Sequence, residues 1–108
     1  MSEKVRIRTH RALIDWIPKE SGGRTKPPSG LGPHPYATEV RIVDEEWPST
    51  AEAWSLVVRK LQAGSTEHRW NAEVSFLVEA APQDSLRPGR TFELYEGAKC
   101  VARGQITE

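Results

Sequence analysis

GRTFELYEGAKCVARGQI, residues 89–106, decides the fold. It reads as a β-hairpin. Pro88-Gly89 sets the turn before it, with Pro fixing φ at the first central position and Gly supplying positive φ at the second. Arg90 to Glu96 is then one strand and Lys99 to Ile106 the other. Gly97-Ala98 between them fits a two-residue loop with Gly first, the type II′ pattern whose twist matches paired strands. This register sets Glu96 opposite Lys99, an opposite-charge cross-strand pair. It also places Phe92, Leu94 and Val101 on one face, the expected core face. The same register aims Arg103 at the core. The expectation is therefore a β-bulge, or an edge from which Arg103 snorkels out.

Outward from the hairpin, the chain reads as short strands broken by turn residues. Lys4 to Ile17 alternates, Val5 and Ile7 against Arg6 and Arg8, and predicts a strand with a break or bulge near His10 to Ala12. Pro18 ends it. Residues 20–36 hold a Gly- and Pro-rich run that excludes helix and central strand, so this is a long loop. Ala37 to Val43 alternates again and is a strand, followed by an acidic loop ending in Trp47-Pro48. Ala53 to Leu61 is read as a strand. The competing signals are a Ser49…Glu52 capping box and the helical spacing of Trp54, Val57, Val58 and Leu61. Gln62 to Trp70 is a polar loop. Asn71 to Ala80 is a strand with Val74, Phe76 and Val78 inward, and Glu73, Ser75, Leu77 and Glu79 outward. Leu86 lies in the next turn as a plug for one end. About six short strands with Gly/Pro turns predict an all-β, small six-stranded antiparallel Greek-key-like barrel spanning residues 1–108.

The bulk composition narrows the classes of function. The 108 residues suit one domain with a single core. Basic and acidic residues are equal at 15 each, so no bulk field draws the chain to nucleic acid or membrane. The charge is uneven along the chain. The first 30 residues carry Lys4, Arg6, Arg8, Arg11, Lys19, Arg24 and Lys26 against Glu3, Asp15 and Glu20. No apolar run approaches the roughly 20 residues that span a bilayer, and no signal peptide opens the chain. A lone Cys100 makes no internal disulfide. The expectation is a cytoplasmic protein with no membrane partner.

Two segments together resemble a known family. Phe92, Leu94, Glu96, Gly97, Val101, Gly104 and Ile106 stand where the C-terminal β-barrel domain of elongation factor Tu has a Phe-x-aliphatic strand, a Glu-Gly turn and a Val-x-x-Gly strand with an aliphatic end. Ser21-Gly22-Gly23-Arg24, Pro27 or Pro28, Gly30, Pro35 and Tyr36 resemble that family's Glu-Gly-Gly-Arg segment and the Pro/Gly loop after it. The resemblance covers about half of the chain and leaves Asp44 to Trp70 unmatched. It implies a six-stranded antiparallel barrel. In the translation factor such a barrel helps hold the T arm of aminoacyl-tRNA and contacts the nucleotide domain and the exchange factor. This chain has no GxxxxGK[ST] loop and no room for a GTPase domain, so the resemblance implies a stand-alone barrel. Tyr95 stands where the family tends to have Arg, and Ala98 where it has a second Gly.

No residues assemble into an active site. His10, His34 and His68 lack metal-ligand spacing, and one cysteine adds no cluster. Cys100 has no base in sequence reach and reads as packing. The Gly-rich window lacks GxGxxG and does not lead from a strand into a helix. Asp44-Glu45-Glu46 reads as a solvated turn rather than an acid–base pair. The chain is expected to be a non-enzyme without cofactor or metal.

Binding remains as the expected role. Four tryptophans are many for this length, and Trp47 and Trp70, beside loops, are the candidate anchors for a protein partner. The alternative is RNA, and DNA is not an expected partner. Its candidates are Arg6, Arg8, Arg24 and Lys26 with Tyr95, Glu96 and Gly97, and Tyr36 or Tyr95 as a stacking surface. A small molecule at the barrel mouth is a third possibility. Clustering of the early basic residues on one face would favour RNA. An exposed tryptophan in an apolar patch would favour protein.

Overall fold

The computed structural model describes residues 7–28, 35–43 and 54–108. Six strands form a closed antiparallel barrel: β1 (His10–Trp16), β2 (Tyr36–Ile42), β3 (Trp54–Leu61), β4 (Arg69–Phe76), β5 (Thr91–Glu96) and β6 (Lys99–Ile106). Their order around the barrel is β1-β4-β3-β2-β5-β6. Strands β2, β3 and β4 are a meander, and the long connection after β1 lets that strand lie beside β4, which is a Greek key. The β5–β6 hairpin fills the gap between β2 and β1. Closure leaves no sheet edge to template aggregation. The all-β, six-stranded, Greek-key reading of the sequence holds.

The hairpin follows its turn chemistry. Arg90 N–H donates to the Arg87 carbonyl at 3.0 Å, closing the Pro88-Gly89 turn, and Gly89 has φ 90°. Gly97 has φ 63°, while no non-glycine among the described residues has positive φ, which leaves Ala98 negative and matches type II′ rather than type I′. Glu96 pairs with Lys99 across the turn. The Arg103 conflict resolves as a bulge. Leu94 pairs with Ala102 but Tyr95 pairs with Cys100, so Val101 is the extra residue. Val101 and Ala102 are both buried, and the phase flips to send Arg103 outward and Gly104 and Ile106 inward. A side chain at 104 has no room, because a Cβ there would lie 2.3 Å from the Phe92 ring.

Inward alternation builds the core: Ile14 and Trp16 from β1, Val40 and Ile42 from β2, Leu56 and Val58 from β3, and Val74 and Phe76 from β4. Strand β3 resolves the helix–strand competition in favour of strand. It pairs with β2 and β4 along its length, and Leu56 and Val58 bury in strand phase. The Ser49…Glu52 capping pattern lies outside the described residues.

Three expectations are corrected. The first strand begins at His10 and pairs regularly from His10↔Val74 to Asp15↔Arg69, with no break near His10 to Ala12. The apparent irregularity was a change of phase: Ile7 precedes the strand and is exposed, whereas Ala12, Ile14 and Trp16 face inward. Strand β4 spans Arg69–Phe76 rather than Asn71 to Ala80, so Val78 is 45 % exposed instead of inward. Its start lies before Trp70, which moves that residue from a polar loop into the sheet.

The two ends differ. At one end the 77–90 connection folds under the barrel, and Leu86 plugs it, 1 % exposed. Gln83 buries beside it, its Nε2 donating to the Val78 carbonyl at 3.3 Å and its Oε1 accepting from Arg8 N–H at 3.2 Å. At the other end lie the Glu96–Lys99 turn, the last residue of β1 and the first residues of β2 and β4. The described part of the loop after β1, residues 17–28, brings Arg24, Thr25 and Lys26 to this second end, here called the rim.

Candidate binding rim

Trp16, Tyr36 and Trp70 all point inward at the rim and form its floor. Trp16 meets Trp70 edge-on with ring centroids 4.9 Å apart, and meets Tyr36 edge-on at 5.5 Å. Trp70 is 1 % exposed, which corrects its expected role as a surface anchor. It is the second residue of β4, in phase with Ala72, Val74 and Phe76, so closing the barrel turns it inward. The indole N–H groups of Trp16 and Trp70 are buried without an acceptor among the described residues. Lys60, from β3, sets its ammonium 5.4 Å from the Trp70 ring centroid.

Above this floor the loop is held by its own backbone. Gly22 N–H donates to the Lys19 carbonyl at 3.0 Å, and Gly23 N–H to the Pro18 carbonyl at 2.9 Å. Gly22 takes φ 92°. Arg24 N–H then donates to the Ile17 carbonyl at 3.0 Å. Gly23 is pressed so close that an added Cβ would lie 1.7 Å from the Ile17 carbonyl oxygen.

The loop delivers Arg24 to a defined place. Its Nε donates to the Lys26 carbonyl at 3.0 Å, and its Nη1 donates to Glu96 Oε2. The guanidinium carbon lies 5.4 Å from the Tyr36 ring centroid. The Tyr36 hydroxyl donates to the same Glu96 oxygen. One carboxylate thus takes an arginine and a phenol, and both members of the ion pair are about one-third exposed or less (28 % for Arg24 and 32 % for Glu96). Arg24, Thr25, Lys26, Glu96 and Lys99 line a concavity of about 320 Å³.

Burial, and then the hydrogen bond to Glu96, push the Tyr36 hydroxyl up to about 12. Between the ordinary tyrosine pKa near 10 and this value, the unfolded chain has released the proton and the folded chain keeps it. Stability from this group is therefore whole below about pH 10 and is lost as pH rises through about 12. Phenolate absorbance should show Tyr36 titrating late, and Glu96→Gln should bring its midpoint down. An unchanged midpoint in that variant would remove Glu96 as a cause.

The structure gathers part of the RNA set. Arg24, Lys26 and Glu96 meet at the rim, and Gly97 follows in the adjoining turn. Tyr95 is elsewhere, on the outer wall, with the Arg41 guanidinium 4.1 Å from its ring centroid and its hydroxyl donating to Glu93 at 3.0 Å. Arg8 lies at the plugged end, paired with Asp84 at 2.8 Å. Arg11 is on the outer face of β1 within 3.8 Å of Glu108. Arg6 and Trp47 lie outside the described residues, as do Lys4, His34 and Asp44 to Glu46. The expected single basic face is thus divided between opposite ends of the barrel. Sequence reading missed Lys60 and Thr25 as rim residues. It paired Lys99 with Glu96, whose ion pair here goes to Arg24.

A second concavity, about 490 Å³, runs over the outer wall between Leu13, Val43, Thr91 and Gln105. Its charged side, Arg69, Asp15, Arg103 and Glu93, belongs to a cross-strand row that continues to Arg41 and alternates in sign over five strands. Arg69 meets Asp15 at 2.8 Å and Arg103 meets Glu93 at 3.4 Å. Such a row cancels its own field and supports the sheet through paired neighbours.

Among the described residues, no group of three or more His, Cys, Asp or Glu side chains could hold a metal, and no helix is long and apolar enough to cross a membrane. Cys100 is half-buried. Burial, with Glu93 nearby, pushes its thiol pKa up, away from the thiolate a nucleophile needs. No protein-family model matches the chain, and comparison with curated proteins finds no match.

Proposed function

We propose that the chain is a non-catalytic, cytoplasmic binding module whose partner is a protein, docked on the rim. The observation that carries this reading is the fixed Arg24–Tyr36–Glu96 cluster. Arginine and tyrosine held in place before binding are the anchors that protein interfaces favour, since little side-chain entropy remains to be lost. The unfavourable setting of Cys100 supports the non-catalytic part.

RNA is the second reading, supported by the resemblance to the elongation factor Tu barrel and by Lys26 and Lys99 beside Arg24. Against it stand Arg8, Arg11 and Arg24, each facing a carboxylate, and the division of the basic residues between two ends. Phosphate binding draws on free cations along a continuous track.

A photo-crosslinking residue at Thr25, on the rim, and another at Asp84, on the plugged end, test the proposal in cells. The expected result is a discrete protein adduct from position 25 and none from position 84. A nuclease-sensitive adduct from position 25, with salt-sensitive quenching of tryptophan fluorescence by tRNA, would transfer the function to RNA. Equal adducts from both ends would remove the rim as the docking surface.

A further inference from the structure

The rim is rich in donors and poor in acceptors. Arg24, Lys26, Lys99 and the Thr25 hydroxyl share their concavity with one carboxylate, Glu96. Among the described residues that carboxylate pairs with Arg24, and neither Lys26 nor Lys99 has an acidic partner. Beneath them lie two more donors, the indole N–H groups of Trp16 (4 % exposed) and Trp70 (1 % exposed), with no acceptor among the described residues. Native structures rarely leave such groups unpaired.

We propose that the rim binds a carboxylate-rich segment of a partner protein, and that Glu96 is an internal stand-in which the partner's carboxylate displaces. This rests on the reading of the rim as a protein-docking surface. Arg24 already holds a carboxylate through Nη1 while its Nε is fixed on the Lys26 carbonyl, so the guanidinium is placed for that group before a partner arrives. Replacing Glu96 by another carboxylate restores the bonds that Arg24 and the Tyr36 hydroxyl would lose, so the exchange is close to balanced before other contacts form. Lys26 and Lys99 then tip it, because they gain a counter-charge that none of the described residues gives them in the free protein. A long polyphosphate is a poorer occupant. On the outer wall the signs alternate through Arg69, Asp15, Arg103, Glu93 and Arg41, so no basic track extends around that wall for a nucleic-acid backbone.

The test is fluorescence anisotropy with a labelled decaglutamate peptide in about 20 mM salt, where screening is weak. Decauridylate and decalysine are measured alongside. Decaglutamate is expected to bind, and binding should weaken as salt rises. The double variant Lys26→Ala/Lys99→Ala should weaken it about fivefold, and Glu96→Gln should strengthen it about threefold by removing the competitor. If Glu96→Gln melts before it can be titrated, Glu96→Asp, which draws the carboxylate back by one methylene, should shift affinity the same way. No decaglutamate binding, tighter decauridylate binding, or an unchanged double variant would overturn the proposal. If decaglutamate fails while the Thr25 adduct remains a protein, the chemistry of the occupant is wrong and the docking surface stands. Loss of both removes the rim reading itself.

Discussion

Trp70→Ala is expected to lower the melting temperature by roughly 12–40 °C, because removing a fully buried aromatic costs about 3–5 kcal/mol and each kcal/mol is worth about 4–8 °C in a domain of this size. Trp70 is 1 % exposed and its ring packs edge-on against Trp16, which in turn packs on Tyr36. The substitution would open a void under the whole rim floor. Native domains have only about 5–15 kcal/mol in hand, so this single change consumes a large part of it. Thermal melts followed by circular dichroism measure the effect. A surface anchor behaves differently: its truncation stays within about 0.5 kcal/mol of wild type and appears only in binding. A melting temperature within a few degrees of wild type would therefore return Trp70 to the surface and contradict the inward phase of β4.

Gly23→Ala should cost about 3 kcal/mol, whereas Gly22→Ala next to it should cost only about 1 kcal/mol. The two glycines are there for different reasons. Gly22 sits at φ 92° with nothing within 4 Å of an added Cβ, so alanine there meets only the left-handed backbone penalty. Gly23 would drive a Cβ to 1.7 Å from the Ile17 carbonyl oxygen, a backbone atom that no rotamer change can move aside. The loop must lift, and lifting it breaks the bonds from Gly23 N–H to Pro18 and from Arg24 N–H to Ile17. Arg24 then leaves Glu96 and the Tyr36 ring. Gly23→Ala should thus abolish decaglutamate binding as well as lower stability, while Gly22→Ala keeps binding. Hydrogen exchange at the Arg24 amide reports the lift directly. Equal losses from both variants would show that conformation, not close contact, governs the loop.

Much of the barrel was legible because its signals are local. Turn stereochemistry at Pro88-Gly89 and Gly97-Ala98 depends on neighbouring residues alone, and alternation along Ala37 to Val43 needs no partner to be seen, whereas Ala53 to Leu61 carries helix and strand signals together and is decided by its pairing with β2 and β4. Even the bulge could be anticipated, because Arg103 on a core-facing register is a local contradiction, and the extra Val101 resolves it. Leu86 as a plug was also readable, as a lone large apolar residue inside a turn. The rim was legible in pieces. Arg24 and Lys26 are legible as members of one basic face shared with Arg8, Tyr36 as a stacking surface and Glu96 as part of a turn, and nothing in the letters joins them.

Sequence by itself pointed to an all-β barrel of about six short strands, showed where its tight turns fall, and showed that the closing hairpin must relieve Arg103 by a bulge or an edge; the register then decided for the bulge. Only the tertiary structure decided which way Trp70 points, that Arg8 and Arg24 lie at opposite ends, and that Arg24 reaches Glu96 across 72 residues of chain. The physical reason is the range of the interactions. Backbone sterics and two-residue periodicity act between near neighbours and are written in adjacent letters. The phase of a strand against the core, and which cation meets which carboxylate, are set when the barrel closes.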